Sequence, residues 1–292
     1  MKLFVTGSSG FVGKNLCSYF ETQFSISKFE RDSDLLINAD VVIHLAGKAH
    51  DIKYASDPES YYQANTELTQ KVFDAFLVSE AKVFITLSSV KAIADEVNGQ
   101  LTEEFLPIPI THYGKSKLLA EKYILSKQFP DGKRVYILRP CMIHGPQNKG
   151  NLNLLYKLVS KSIPWPLGAF ENKRSFCSID NLLFIMKELI MRDDIPSGDY
   201  NIADDEALST NEVISLIAAS LERKPKIWNM SKVFIQLLAN LGDLLHLPLT
   251  TERLQKLTES YIVSNQKIKD ILGKSLPLSS KEGLLKTFKS FN

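Results

Sequence analysis

The sequence contains few cysteines and no pattern typical of a metal site. Its three cysteines, Cys17, Cys141 and Cys177, are widely spaced and form no C-x-x-C pair. This spacing indicates neither a disulfide framework nor a thiolate zinc site. The histidines do not form an H-E-x-x-H motif, so we expect no bound metal. The cysteine usage is typical of a reducing compartment, and we expect the protein to be cytoplasmic.

The charges are balanced, and long runs of basic or apolar residues are absent. Lys and Arg together number 35 against 33 Asp and Glu, so the net charge is +2. Without a basic stripe that includes aromatic residues, nucleic acid is not an expected partner. The most apolar late stretch, residues 233–249, contains several polar residues and falls short of the roughly 20 apolar residues that a bilayer span needs. We predict an amphipathic helix packed on the protein there, with contact to a membrane surface as the less favoured alternative, and neither an export signal nor an integral membrane segment.

A glycine-rich turn follows the first predicted strand. Residues 2–5 (KLFV) are mostly apolar and lead through Thr6 into Gly7-x-x-Gly10-x-x-Gly13, after which residues 14–24 have helical character. Glycines permit a tight turn and a close backbone approach, and a helix N-terminus presents unpaired N–H groups to a phosphate. The order strand, turn and helix therefore predicts a site for the pyrophosphate of a dinucleotide.

Two further strands are predicted to contribute to the same dinucleotide site. Residues 25–29 form the second strand, which ends at Glu30 and Arg31. A carboxylate at this point favours NAD by binding the ribose hydroxyls, whereas a guanidinium favours the 2′-phosphate of NADP, so the cofactor is NAD or NADP. Residues 40–47 form a buried strand ending in small residues that let the cofactor approach. We interpret His44, within that run, as a core residue.

Ser88-Ser89 and Tyr113-x-x-x-Lys117 carry the predicted chemistry. The serines follow an apolar strand at residues 82–87, and the carboxyl ends of parallel strands are where ligands bind. On a helix, Tyr113 and Lys117 share one face. The ordinary pKa of tyrosine is about 10, and a neighbouring ammonium lowers it, which makes Tyr113 a usable acid or base. Ser89 would hold the reacting oxygen.

The alternation of strands and helices predicts an α/β fold with a doubly wound parallel sheet of the Rossmann type. Further strands are predicted at residues 134–138 and 199–202, with a helix at 180–191. Ser209-x-x-Glu212 is a capping box that opens another helix. We interpret residues 147–175, which are rich in Asn, Gly and Pro, as irregular. The remainder is predicted to form a smaller, mostly helical C-terminal lobe.

Taken in order, these motifs resemble the extended short-chain dehydrogenase/reductase superfamily, and within it the NAD-dependent epimerase/dehydratase family. The resemblance covers essentially the whole chain. Residues 88–91 (SSVK), 164–168 (PWPLG) and 172–176 (NKRSF) look like those of bacterial 4-reductases of UDP-4-keto-6-deoxy-N-acetylhexosamines, which are often labelled UDP-glucose 4-epimerases. The resemblance implies a nucleotide-binding domain of residues 1–150 and 175–205, and a lobe of residues 151–174 and 206–292 that binds a UDP-sugar. It is also compatible with a homodimer.

The resemblance assigns roles to individual residues. The implied catalytic residues are Ser89, Tyr113 and Lys117. The implied cofactor-binding residues are Gly7, Gly10, Phe11, Val12, Gly13, Glu30, Arg31, Leu45, Ala46, Gly47, Ser88, Tyr113, Lys117 and Pro140. The implied substrate-binding residues are Ser89, Lys91, Asn151, Leu152 and Arg174. Arg174 also has a physical rationale, because a guanidinium can bind a diphosphate in a bidentate manner.

The chain departs from the family pattern at two places that bear on function. The stretch between Arg31 and Asp40 is too short for the usual strand and helix, so the adenine side is expected to be more open. Sugar 4,6-dehydratases have Asp and Glu directly after the catalytic hydroxyl residue, whereas Val90 and Lys91 follow Ser89 here. A dehydratase is therefore disfavoured. A 4-reductase is our first choice, a UDP-sugar 4-epimerase is the alternative, and a non-catalytic NAD(P)-binding regulator is less favoured.

Overall fold

The structure is a computed structural model that describes residues 1–29, 35–48, 57–148, 150–245 and 249–291. A parallel six-stranded sheet lies at its centre, in the strand order β2-β1-β3-β4-β6-β9. The strands are β1 (Lys2–Thr6), β2 (Ser25–Lys28), β3 (Val41–His44), β4 (Val83–Leu87), β6 (Arg134–Pro140) and β9 (Gly198–Ile202). Every residue of β3 and β4 is buried, as expected for central strands of a parallel sheet that is covered on both faces.

Helices cover both faces of the sheet. They are α1 (Phe11–Phe20), α2 (Glu59–Tyr61), α3 (Leu68–Val78), α4 (His112–Leu125), α5 (Asn151–Ser160), α6 (Ile179–Met191), α7 (Thr210–Ser220), α8 (Lys232–Leu245), α9 (Thr251–Thr258), α10 (Gln266–Leu272) and α11 (Ser280–Lys289). Alternate strand residues pack with α1 and α6 in one core and with α3 and α4 in another. The predicted doubly wound, Rossmann-like sheet is confirmed.

The region between β2 and β3 is short, as expected. Residues 35–40 contain neither helix nor strand, and β3 pairs directly with β1, with Leu3 opposite Val41. The strand order extends from β1 towards β2 on one side and towards β3 on the other, so the topological switch point lies between β1 and β3. Ligands of open α/β sheets bind at the carboxyl ends of the strands at this point. Among the described residues, β2 is the edge strand on the other side of β1.

A separate hydrophobic core holds the C-terminal lobe together. It contains residues from α5, α7, α8, α9 and α11, together with Trp165 and Leu167. Short strands β7 (Met142–His144) and β8 (Phe176–Ser178) pair beside it. Strand β10 (Ile262–Val263) instead pairs with β5 (Gln100–Leu101), and Ile268 and Leu272 of α10 belong to the core on the α1 side of the sheet. The proposed domain boundaries remain a prediction.

Two sequence-based interpretations of local structure were wrong. Residues 147–175 are not all irregular, because α5 occupies residues 151–160 and buries Leu152, Tyr156 and Val159 along one side. These positions have helical spacing, which the surrounding Asn, Gly and Pro residues obscured. The first helix begins at Phe11 rather than Lys14 and ends at Phe20 rather than Phe24, because Gly10 (φ −73°, ψ 175°) is the N-cap and the chain turns after Phe20.

The capping box and the apolar helix agree with the sequence. The Ser209 side chain accepts from the Glu212 amide, and the Glu212 carboxylate accepts from the Ser209 amide, at the start of α7. Residues 232–245 form α8, which packs on the protein through Ile235, Ala239 and Gly242. Among the residues with described positions, no helix is long and apolar enough to cross a membrane.

Candidate active site

The glycine-rich turn packs backbone to backbone against the end of β3. Gly7 has a left-handed φ of +71°, and a Cβ there would lie 2.5 Å from the Ala46 amide nitrogen. A Cβ on Gly13 would lie 2.2 Å from the Gly7 carbonyl oxygen. Only glycine fits these two positions, which fixes the start of α1 beside residues 45–47 at the switch point.

Gly10 differs from the other two glycines because it faces open space. A Cβ on Gly10 would have only the Gly7 carbonyl oxygen within 4 Å, at 3.4 Å. Gly10 lacks a side-chain cap hydrogen bond, and the first turn of α1 contains no acidic residue. The amides of this turn have no partner within the helix and point away from it. These features fit a dinucleotide pyrophosphate, to which Phe11 and Val12 would supply backbone amides.

Ser88 and Ser89 follow β4 and take different partners. The Ser88 hydroxyl donates a short hydrogen bond to the Glu121 carboxylate. The Ser89 hydroxyl accepts a 3.2 Å hydrogen bond from the Lys91 amide and caps a short 3₁₀ turn of residues 90–92. Ser89 therefore keeps its hydroxyl proton available for another acceptor, as the predicted role requires.

The first turn of α4 is held against the serine segment. Thr111 caps the helix by accepting from the Gly114 amide at 3.2 Å, and the Asp95 carboxylate accepts from the amides of Ile110 and Thr111. A Cβ on Gly114 would lie 2.3 Å from the Lys91 carbonyl oxygen. Gly114 thus permits the start of α4 to pack closely against the segment that follows Ser89. We did not predict this role, although a glycine inside the Y-x-x-x-K signature was a visible signal.

Lys117 is buried one helical turn after Tyr113. Its ammonium donates a 2.8 Å hydrogen bond to the Leu87 carbonyl oxygen at the end of β4. Burial lowers the pKa of Lys117 to about 8, an effect that the Glu121 carboxylate opposes. Tyr113 is partly buried, and its ring packs edge-on against Tyr61 with 6.4 Å between ring centroids. The structure therefore places Tyr113 and Lys117 on one helix beside the end of β4, as predicted.

A network of linked ion pairs lies beneath the end of β4, between the sheet and α4. Arg139 of β6 donates to both carboxylate oxygens of Glu121, with 2.7 Å for the shortest contact, and also pairs with Asp199 of β9. Glu121 is 2% exposed and also accepts from Ser88. The network links β6, β9, α4 and the serine segment. Glu121 and Arg139 were not among the predicted site residues.

Asn65 is a further site residue that sequence reasoning did not assign. It lies in a π-helical turn, Tyr62–Glu67, between α2 and α3, and π-turns occur frequently at functional sites. Its side chain accepts from the Lys48 amide at 2.8 Å and donates to the Ser116 hydroxyl at 3.0 Å. A Cβ on Gly47 would lie 2.6 Å from the Asn65 Oδ1 and 3.1 Å from the Lys117 Nζ. Gly47, Asn65 and Lys117 therefore meet at one point.

The other predicted cofactor-binding residues lie at the ends of β3 and β6 or outside the described residues. Leu45 and Ala46 follow β3 and donate their amides to the main chain and side chain of Thr6. Pro140 is the last residue of β6 and is buried opposite Ile202. Glu30 and Arg31 lie outside the described residues, so their predicted effects on cofactor choice stay predictions.

His44 is a core histidine, as interpreted from the sequence. It shares hydrogen bonds of 2.7 Å with Thr6 and 2.9 Å with Thr69. Burial, together with the charge of Lys117, lowers its pKa to about 3. His44 is therefore neutral at physiological pH and has both ring nitrogens occupied within the protein.

Two of the predicted substrate-binding residues, Lys91 and Arg174, already form polar contacts within the protein. Lys91 donates to the Asp95 carbonyl oxygen at 2.8 Å and lies over the Tyr261 ring at 4.7 Å from its centroid. Arg174 pairs with the Glu259 carboxylate at 2.7 Å, and burial lowers its pKa. Leu152 packs in the core of the C-terminal lobe. The structure does not describe the Asn151 side chain, and the substrate roles of all these residues stay predictions.

The family assignment rests on a match as well as on this geometry. A family model described as the NAD dependent epimerase/dehydratase family matches residues 32–203. The chain belongs to this family. Its cofactor is therefore a nicotinamide dinucleotide, which the glycine turn and Gly47 fit, and the family membership predicted from the motifs is confirmed.

The chain is similar to both epimerases and reductases. A UDP-glucose 4-epimerase of Vibrio cholerae is 29% identical over 99% of this chain and 95% of its own length. A UDP-2-acetamido-2,6-beta-L-arabino-hexul-4-ose reductase of Pseudomonas aeruginosa is 30% identical over 52% of this chain and 38% of its own. The solved UDP-glucuronic acid 4-epimerase of Bacillus cereus with NAD has a TM-score of 0.76 at 20% identity, covering 99% of this chain and 98% of that chain, which supports the fold.

Proposed function

We propose that this family member is an NAD(P)-dependent enzyme acting at C4 of a UDP-sugar. We further propose that its net reaction is the reduction of a UDP-4-keto-6-deoxy-N-acetylhexosamine during the synthesis of surface polysaccharide precursors. The observation that carries the proposal is that the helix bearing Tyr113 and Lys117 is joined to the carboxyl end of β4, just before Ser89, by the hydrogen bond from Lys117 to Leu87, with Lys117 also beside Gly47.

The side chains suit proton transfer to a ketone oxygen. When bound, the reduced nicotinamide supplies a hydride to the carbonyl carbon. Tyr113 donates its phenolic proton to O4, so the ketone becomes an alcohol and the phenolate is later reprotonated from solvent. Lys117, in its ammonium form, stabilises that phenolate by proximity along α4. Ser89 donates a hydrogen bond that holds O4 and stabilises the charge that develops on it.

The residues after Ser89 do not suit a dehydratase. Val90 is 3% exposed and carries no titratable group, and the Lys91 ammonium is directed to the Asp95 carbonyl oxygen. Asp95 itself accepts hydrogen bonds that hold the start of α4. The extra acid and base that an elimination of water needs are therefore not supplied by this segment.

The shortness of the segment between β2 and β3 favours a reductase over an epimerase. A reductase exchanges its cofactor at every turnover, whereas an epimerase retains it. Residues 35–40 add no strand or helix beside β2, whose four residues are all at least partly exposed. This arrangement supports exchange of the nicotinamide cofactor between turnovers. The alternative, a UDP-glucose or UDP-N-acetylglucosamine 4-epimerase, is favoured by the full-length similarity to the Vibrio cholerae protein.

The test is to incubate the purified protein with NADH or NADPH and an enzymatically prepared UDP-4-keto-6-deoxy-N-acetylhexosamine. We expect a stoichiometric fall in the absorbance of the reduced nicotinamide as the keto-sugar is consumed. UDP-glucose and UDP-N-acetylglucosamine are tested in parallel without added reductant. Interconversion of their C4 epimers, with no net nicotinamide change and no consumption of the keto-sugar, would transfer the assignment to the epimerase. If neither reaction is observed, both assignments are contradicted.

A further inference from the structure

Helix α8 (Lys232–Leu245) presents three distinct faces. At about 100° per residue, Ile235, Ala239 and Gly242 fall on one side, and these three are the buried residues of the helix. The polar residues Gln236, Asn240 and Asp243 fall on a second side. The remaining arc, which includes the side opposite the buried residues, is apolar and faces away from the protein.

The buried face fixes the orientation of α8. Ile235 and Ala239 belong to the core of the C-terminal lobe. A Cβ on Gly242 would lie 1.7 Å from the Leu249 carbonyl oxygen, and the Asp243 carboxylate accepts a 2.6 Å hydrogen bond from the Thr251 hydroxyl. The helix is therefore held in register against the start of α9, and rotation of its apolar face into the protein would break these contacts.

The outward face carries large apolar side chains that are well exposed. Val233 is 71% exposed, Leu237 61% and Leu244 74%. Phe234, Leu241 and Leu245 are between 45% and 57% exposed on the same side. Scattered exposed leucines are normal on soluble proteins, but a continuous helical stripe of them marks an interaction surface.

A basic segment leads directly into this helix. Arg223, Lys224 and Lys226 line a cavity of about 310 Å³ whose apolar wall includes Val159 and Ile214. Lys224, Lys226 and Lys232 are exposed and, within the described parts of the chain, form no ion pair.

Along the chain, Trp228 lies between the basic segment 223–226 and α8. The amide of Trp228 donates to Trp165, while Ile227 is directed inward. In this extended segment, Lys226 and Trp228 therefore share the outward side. Trp228 is 57% exposed.

We propose that α8, together with Trp228 and the basic segment 223–226, is a surface that binds an anionic phospholipid bilayer from one side. We call it the α8 surface. A helix with Leu and Phe on one face lies in the bilayer interface with that face inserted. Exposed tryptophan prefers the headgroup level, and lysines near it attract anionic lipid.

Charge favours a bilayer over a second copy of this chain. In a two-fold contact between copies, the same patch faces itself, which would bring two sets of the exposed lysines together. Anionic headgroups instead complement them. This inference concerns where the enzyme acts, and it does not depend on which C4 reaction it catalyses.

The test measures binding of the full chain to vesicles by flotation. We expect binding to vesicles of phosphatidylcholine with phosphatidylglycerol, weaker binding to phosphatidylcholine alone, and release at high salt. The triple change Leu237→Gln, Leu241→Gln and Leu244→Gln is expected to lower the partition coefficient at least about tenfold. The matched control changes three exposed leucines elsewhere, Leu36, Leu106 and Leu125, to Gln and is expected to bind like the wild type.

A second variant keeps the proposal testable if the first one does not fold. Lys224→Gln with Lys226→Gln is expected to abolish the preference for phosphatidylglycerol, while Lys71→Gln with Lys127→Gln retains it. Circular dichroism and light scattering are recorded for every variant. Failure of the wild type to bind either vesicle would overturn the proposal. So would equal loss in the control variants, or a change from dimer to monomer in the leucine variant without any vesicle binding.

Discussion

The ammonium group of Lys117 donates a 2.8 Å hydrogen bond to the main-chain carbonyl oxygen of Leu87, the last residue of β4. This bond joins the helix that carries Tyr113 to the strand that presents Ser89. It also keeps the charge of Lys117 within the protein, where burial lowers its pKa to about 8. The buried environment at the end of β4 therefore determines both the position of the Lys117 ammonium and its lowered pKa.

The first prediction concerns the proton donor. Tyr113→Phe retains the ring that packs on Tyr61 and removes only the hydroxyl. Because general acid catalysis typically contributes about 10² to 10⁴-fold, we expect a loss of turnover of that size with cofactor binding preserved. Turnover is measured with the keto-sugar, and cofactor binding by nicotinamide fluorescence.

Tyr123→Phe is the matched control for this change. Tyr123 lies on the same helix, and its hydroxyl donates to Asp74 on the surface. We expect near wild-type activity from the control. Activity of the Tyr113 variant within a few-fold of the wild type would show that another group donates the proton.

The second prediction separates cofactor binding from folding at two glycines. A Cβ on Gly10 would meet no protein atom closer than 3.4 Å, whereas a Cβ on Gly13 would lie 2.2 Å from the Gly7 carbonyl oxygen. Gly10→Val is therefore expected to fold but to lose dinucleotide binding, because the side chain would occupy the space of the pyrophosphate. Gly13→Val is expected to lower the thermal unfolding midpoint.

Both glycine variants are examined by fluorescence titration and thermal denaturation, with Lys14→Ala on the exposed side of α1 as the control. Unchanged dinucleotide affinity in a folded Gly10→Val protein would mean that this turn does not hold the pyrophosphate.

Much of this site could be predicted because its motifs are local. The glycine turn, the serine pair and the Tyr113–Lys117 spacing each lie within a few residues, and the carboxyl edge of a parallel sheet brings them together. The Glu121–Arg139 pair could not be found in this way, because it joins α4 to β6 and depends on how the helix packs on the sheet.

Helix α8 illustrates a different limit of the sequence. Its composition predicted an amphipathic helix correctly, but periodicity does not reveal which face packs on the protein. In the structure, Ile235, Ala239 and Gly242 form the buried side of α8, and the leucines of the helix are exposed. The packing of Ile235 and Ala239 in the core of the C-terminal lobe, together with the contacts to Leu249 and Thr251, determines that choice.

The third prediction concerns pH. Loss of the Lys117 proton above pH of about 8 removes the charge that stabilises the Tyr113 phenolate, so reduction should slow as the pH rises through that value. The Glu121 carboxylate raises the pKa of Lys117. Glu121→Gln is therefore expected to move the alkaline limb of the kcat/KM profile to lower pH.

Glu80→Gln, an exposed change away from the site, is the control and should leave the pH profile in place. A Glu121→Gln enzyme whose activity falls equally at every pH would indicate that Glu121 only maintains the packing of Arg139 and Ser88.

The fourth prediction concerns cofactor choice at the end of the second strand. Glu30→Ala should improve the use of NADPH relative to NADH, because it removes a negative charge that repels the 2′-phosphate. Arg31→Ala should have the opposite effect, because it removes the cation that pairs with that phosphate. The readout is the ratio of kcat/KM for the two reduced cofactors. An unchanged ratio in both variants would place the adenosine ribose elsewhere.

The last prediction concerns Arg174 and its partner Glu259, which form a 2.7 Å ion pair with both side chains about one quarter exposed. If Arg174 binds the diphosphate of the UDP-sugar, Arg174→Ala should raise KM at least about tenfold with little change in kcat, since a bidentate charged contact is lost. Glu259→Gln removes the competing carboxylate and should leave KM unchanged or lower it. If Arg174 binds the diphosphate, only the Arg174 variant should therefore raise KM, whereas the Glu259 variant should not. If the pair only joins residues 172–176 to the segment after α9, both variants should lower the thermal unfolding midpoint and neither should alter KM selectively.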